Sequence, residues 1–192
     1  RPELGLDEEL YRQYMLLSLH GQSKDALAKT RLGAWEYDVV SPAYKCNMTD
    51  VCAAIGLAQM SRYDSMLARR RQIITRYDQA LAPAGMTSLR HYENGTVSSG
   101  HLYLANLPDL GEDGRNEFIE HMARADVACN VHYKPLPMLT AYRDLGFDIE
   151  DFPRAFDLYA NEVSLPLHTS LSDEQVDYVI DCALDALAAV GR

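Results

Sequence analysis

No apolar stretch in this 192-residue sequence approaches the roughly 20 residues that span a bilayer, and no cationic segment leads into an apolar one at its start. The expectation is a cytoplasmic protein. Positive charge is scarce: 18 Lys and Arg face 28 Asp and Glu, a balance of −10. Such an average field repels phosphate backbones and anionic lipid, which argues against nucleic-acid and membrane-surface partners. The only basic cluster is Arg69-Arg70-Arg71. Consecutive helical residues point about 100° apart, so the run reads as a solvated face. Cys46, Cys52, Cys129 and Cys182 form no CxxC pair and no Cys/His ligand spacing, so reduced thiols and no zinc site are expected. Neither G-x-G-x-x-G nor G-x-x-x-x-G-K-[ST] occurs, nor G-x-S-x-G, nor H-E-x-x-H. Self-contained nucleotide-binding, hydrolase and zincin readings fall with them.

What is present is an ordinary globular composition, 47% hydrophobic and 24% charged, enough to bury a core. The spacing predicts a helix from about Asp7 to Leu19, closed by Gly21 in a left-handed conformation. An aromatic-rich irregular segment follows to Lys45. A helix of about thirty residues is then expected from Thr49 to Leu81, far longer than the usual 11 or 12. Thr49 caps it, Asp50 sits in its first turn, and Pro83 and Gly85 lie just past its end. Its early part, Ala53 to Ala58, is small and apolar all round, which implies burial on every face. Beyond Pro83, short strands alternate with helices. His101 to Leu107 reads as extended, Arg115 to Ala125 as a helix, and Val127 to Tyr133 alternates as a half-buried strand. A helix near Asp151 to Asn161 and a short strand from Glu162 to Leu165 precede the last helix. Ser172 and Gln175 form a capping box there, stapled by Leu171 and Val176. Val176, Val179, Ile180, Ala183, Leu184, Leu187 and Val190 make its apolar stripe. The organisation expected is residues 1–82, ending in the long linking helix, and a compact α+β domain over 83–192.

Two places could carry chemistry. His132 and Tyr133 stand at a strand end where Pro135 and Pro137 turn the chain outward. His132 is read either as a binding group or as a structural histidine beside a turn. Lys45 and Asn47 lie at the lip of a helix N-terminus, where free N–H groups and the dipole favour an anion such as phosphate. The other reading is a capping loop in which Asn47 bonds its own backbone. His20, in a last helical turn, favours the dipole by itself.

Five blocks in order then carry a resemblance: Ser18-Leu19-His20-Gly21, Trp35 to Val40, Tyr44 to Asp50 leading into Ala53 to Gln59, His132 to Leu136, and Leu165 to His168. Over nearly the whole chain the sequence resembles the DegT/DnrJ/EryC1/StrS sugar aminotransferases. The resemblance implies the C-terminal part of a type I, aspartate aminotransferase-like fold, with a long linking helix and a small α+β domain of short antiparallel sheet and packed helices. It further implies pyridoxal phosphate, a nucleotide-linked keto sugar as substrate, glutamate as amino donor, and a homodimer with sites at the subunit interface. Lys45 and Asn47 are implied near the cofactor phosphate of the partner subunit, and His132 and Tyr133 near the sugar nucleotide. Two departures touch the first loop: many relatives have glycine where Ala43 stands and an aromatic where Cys46 stands. Ala43 costs backbone freedom if the position requires positive φ.

The family's Schiff-base lysine precedes the block matching His20-Gly21, whereas Lys24, Lys29, Lys45 and Lys134 all follow it. No residue is assigned a catalytic role. The chain starts at Arg1 with an amphipathic segment close behind, and reads as a piece whose N-terminal half is missing. Alone it is expected not to transaminate, and to self-associate through an exposed apolar patch. The alternative is a non-catalytic sugar-nucleotide-binding or dimerisation module of the same fold.

Overall fold

The structure is a computed structural model and describes residues 7–22, 38–46 and 48–191. The chain divides into two compact units, Arg1–Ser61 and Arg62–Arg192. Among the described residues no helix is long and apolar enough to cross a membrane, and Cys46, Cys52, Cys129 and Cys182 are all free.

The first unit opens with helix α1, Glu8–Ser18. Asp7 caps it by accepting the Leu10 N–H, and Glu8 and Glu9 sit in the first turn where the dipole favours them. The helix ends as its glycine predicts. His20 and Gly21 both take positive φ, and Gly21 N–H donates back to the Leu16 carbonyl at 2.7 Å. A Cβ on Gly21 would lie 2.0 Å from the Ser41 carbonyl oxygen, so only glycine fits the close approach. Residues 38–46 are strapped to this helix end by backbone bonds, His20 to Tyr44, Tyr44 to Leu17 and Cys46 to Ser18. Positive φ outside glycine occurs at His20, Asn94, Asp109 and Asp126 among the described residues, so Ala43 carries no such cost.

Helix α2, Asp50–Met60, is capped by Thr49, which accepts the Cys52 N–H. Burial on every face was expected here, and the structure corrects that: Val51, Ile55, Leu57 and Met60 are 60–71% exposed and α2 has no buried residue. Small apolar side chains set the character of these faces, but none of them is buried among the described residues. The single long helix is also corrected. It is interrupted at Ser61 and Arg62, and α3 begins at Tyr63. Ser61 donates its hydroxyl to the Ala58 carbonyl and Ser65 to the Arg62 carbonyl. Such local serine bonds compete with the helical ladder and bend or break it.

In the second unit α3, Tyr63–Leu81, buries Ile73, Ile74, Tyr77 and Leu81. A three-stranded antiparallel sheet follows in the order β1 (Thr87–Ser88), β2 (Tyr103–Asn106), β3 (Glu162–Leu165). Pairing sets Leu104 opposite Ser164 and Asn106 opposite both Glu162 and Thr87. Opposed residues share a face, so these five point one way while Tyr103, Ala105, Val163 and Leu165 point into the core. Helices α4 (Gly111–Arg124) and α7 (Asp173–Val190) supply Phe118, Met122, Val176, Val179 and Ala183 to that core. The capping box of α7 is complete: Gln175 N–H donates to Ser172 Oγ, and Ser172 N–H to Gln175 Oε1. Helix α5 (Thr140–Arg143) and α6 (Pro153–Asn161) lie between α4 and β3.

Two further expectations are corrected. Residues 127–133 are not a strand; one bridge, Asn130 with Ser164, joins them to β3. Side chains take the place of the ladder on either side, since Asn130 Oδ1 accepts the Val131 N–H and the Glu162 carboxylate accepts the His132 N–H. Arg69, Arg70 and Arg71 are not simply solvated. Arg69 donates to Asp173 and to the Leu171 carbonyl, Arg70 to the Gly100 and His101 carbonyls, and Arg71 lies over the Tyr92 ring. Three consecutive side chains pointing three ways reach three different neighbours.

Candidate functional site

The outward face of the sheet forms the floor of an open cavity of about 460 Å³. Thr87, Leu104, Asn106 and Glu162 line it from the strands, His132, Tyr133 and Pro135 from the segment bridged to β3, and Ala155, Leu158 and Tyr159 from α6. The lining alternates apolar surface with hydroxyl, amide, imidazole and carboxylate groups. That mixture suits a ligand with flat faces and many hydroxyls.

His132 and Tyr133, the pair singled out from the sequence, are both in this wall. Their rings meet edge to face at 4.6 Å between centroids. Tyr133 is 74% exposed and free to meet a ligand. The imidazole is held from behind. Its Nδ1 lies 2.7 Å from Ser164 Oγ, which in turn lies 2.6 Å from Glu162 Oε1. Burial pushes the Glu162 carboxyl above its usual range, opposed by the bonds from Ser164 and the His132 backbone and by the charge of Arg115. Arg115 is itself buried on α4, donates to the Tyr159 carbonyl at 2.9 Å and lies 4.8 Å under the Tyr159 ring. The far wall of the cavity is therefore braced by a guanidinium.

Glu162, Ser164, Arg115 and Tyr159 were not anticipated. A signal for the first two was available: Glu162-Val163-Ser164 on a strand puts both polar groups on one face. Nothing in sequence spacing paired that face with His132.

Lys45 belongs to the first unit, exposed and joined to Leu19 by a backbone bridge. Asn47 lies outside the described residues. Lys45 precedes Thr49, the N-cap of α2, and its ammonium group is a donor of the kind that a phosphate accepts. Lys134, next to Tyr133, lines a separate cavity of about 470 Å³ with Arg143 and Asp148.

Comparison with known proteins shows the family. The sequence pattern of the DegT/DnrJ/EryC1/StrS aminotransferase family matches residues 5–184. The chain is 38% identical over 186 residues to the spore coat polysaccharide biosynthesis protein SpsC of Bacillus subtilis, covering 93% of this chain and 47% of that protein. It is 29% identical over 186 residues to a UDP-4-amino-4,6-dideoxy-N-acetyl-beta-L-altrosamine transaminase of Campylobacter jejuni, covering 97% and 47%. Among solved structures, Spr1654 of Streptococcus pneumoniae, assigned as a sugar aminotransferase, superposes in its PMP form with TM-score 0.82 at 51% identity over 96% of this chain and 46% of that one. Its PLP form gives 0.80. The chain spans about half the length of the relatives it matches.

Proposed function

This chain belongs to the DegT/DnrJ/EryC1/StrS aminotransferase family, and we propose that it serves a pyridoxal-phosphate-dependent transfer of an amino group, from glutamate, to a nucleotide-linked keto sugar in amino-sugar and surface-polysaccharide synthesis. The observation that carries the reading is the cavity that His132, Tyr133 and Tyr159 line together over the outer surface of the sheet. The names of the Bacillus and Campylobacter relatives support both the pathway and the substrate class.

His132 and Tyr133 orient the sugar, the first by a hydrogen bond and the second by its exposed ring face. Leu104, Leu158 and Pro135 exclude water from the apolar side of the ligand. Lys45 and Asn47 hold the cofactor phosphate, by charge and by hydrogen bond, for the other subunit of a homodimer. Pyridoxal phosphate, when bound, supplies the electron sink for moving the amino group. Lys24, Lys29, Lys45 and Lys134 all follow the block matching His20-Gly21, and none is assigned the covalent anchor. On this reading the chain by itself binds the sugar nucleotide and does not transaminate.

Isothermal titration of the chain with UDP-N-acetylglucosamine tests this. Saturable binding that His132→Ala weakens at least tenfold sustains the reading; no binding, or equal binding by the variant, overturns it.

A further inference from the structure

Ser164 stands between two groups of the cavity wall. Glu162 and Ser164 share a strand face, and the serine hydroxyl lies 2.6 Å from Glu162 Oε1 and 2.7 Å from His132 Nδ1. The other carboxylate oxygen accepts the His132 backbone N–H at 2.8 Å, so both ends of His132 are tied to one side chain. A serine hydroxyl has a single hydrogen to donate, and an ionised carboxylate can only accept. That hydrogen goes to Glu162, and Ser164 Oγ must then accept from the imidazole. Nδ1 therefore carries a hydrogen, and in the neutral ring Nε2 is left as a lone pair. Nε2 makes no hydrogen bond with the described residues, while the ring lines the cavity.

We propose that Glu162, acting through Ser164, is a positioning residue that locks His132 in its Nδ1–H form, so that Nε2 accepts a hydrogen bond from a hydroxyl of the sugar. This rests on the nucleotide-sugar reading above and states which part of the ligand His132 meets. Phosphate oxygens are acceptors, and a lone pair offers them nothing. A sugar hydroxyl is a donor and completes the chain from ligand to Nε2, Nδ1–H to Ser164, and Ser164 to Glu162. Such fixing of one ring nitrogen by a carboxylate behind it is the general way an imidazole is made to present a chosen face.

The test is the long-range 1H–15N spectrum of the 15N-labelled chain at about pH 8, where an ordinary imidazole is neutral. His132 is expected to show a protonated Nδ1 and a bare Nε2. Ser164→Ala and Glu162→Gln are expected to shift it toward the Nε2–H form, with Ser164→Thr, which keeps the hydroxyl, retaining the parent pattern. A bare Nδ1 in the unaltered chain overturns the proposal whether or not the variants fold, and so does a folded Ser164→Ala with an unchanged tautomer. In a second arm, UDP-N-acetylglucosamine is expected to move the His132 Nε2 resonance and UDP alone is not. Ser164→Ala is expected to weaken binding of the sugar nucleotide on the order of tenfold. An equal response to UDP overturns the hydroxyl contact. Absence of any binding overturns the nucleotide-sugar reading and that contact with it, while the ligand-free tautomer still decides the part played by Glu162 and Ser164.

Discussion

Tyr77 donates its hydroxyl to the carbonyl of Pro166 at 2.8 Å, joining the buried face of α3 to the segment that leaves β3. Its ring is fully buried and meets Tyr103 of β2 edge to face at 4.9 Å. One side chain thus ties helix, sheet and the exit of the last strand together. Tyr77→Phe keeps the ring and leaves the Pro166 carbonyl without this donor, which costs about 1–3 kcal/mol. The midpoint of urea unfolding is expected to fall with no change in its slope, since the surface exposed on unfolding stays the same.

His91 gives the second unit an acid-sensitive point. Its Nδ1 lies 3.0 Å from Ser98 Oγ, its Nε2 is buried without a partner among the described residues, and its ring stacks with Tyr103 and lies tilted to Tyr92. Burial holds its pKa below the usual value, against the pull of Asp78. The folded state therefore prefers the neutral ring, and the unfolded chain takes up a proton first, near pH 6.5. Stability is present above that pH and is lost as pH falls through the lower folded value. Between neutral and mildly acid pH the melting temperature is expected to drop a few °C more in the parent chain than in His91→Gln. Equal drops in the two would remove His91 as the cause.

Tyr133 separates binding from stability. Because it is 74% exposed, Tyr133→Ala is expected to leave the melting temperature within the change allowed to a surface site, about 0.5 kcal/mol. Loss of the ring face is expected to weaken UDP-N-acetylglucosamine several-fold in the same calorimetric titration that reads His132→Ala.

Ser172 caps the helix that carries much of the core, accepting the Gln175 N–H while its own N–H donates to the Gln175 side chain. Ser172→Ala is expected to cost about 1 kcal/mol, and Ser172→Asp, which keeps an acceptor at the helix start, to restore most of it. Thermal unfolding followed by circular dichroism reads both.

Much of this was written locally. Asp7, Thr49 and Ser172 each cap the helix that they precede, because an N-cap needs only its own side chain and the next three residues. The stripe from Val176 to Ala186 is buried because 3.6-residue spacing alone puts those positions on one face. The break at Ser61 was missed for the opposite reason: apolar spacing continues through it, and a serine hydroxyl turned back on the Ala58 carbonyl leaves no mark in that pattern.

By itself, then, the sequence determined which segments are helical, where most of them start and stop, which faces are apolar, and the family to which the blocks from Ser18 to His168 belong. The tertiary structure decided that Glu162 and Ser164 stand behind His132, that Arg115 braces Tyr159, and that Val127 to Tyr133 joins the sheet by one backbone bridge and by side-chain bonds instead of a ladder. Periodicity settles the face on which a side chain lies, since it depends on a few neighbouring dihedral angles. The meeting of two faces depends on register between segments some thirty residues apart, and that is set only when the whole core packs.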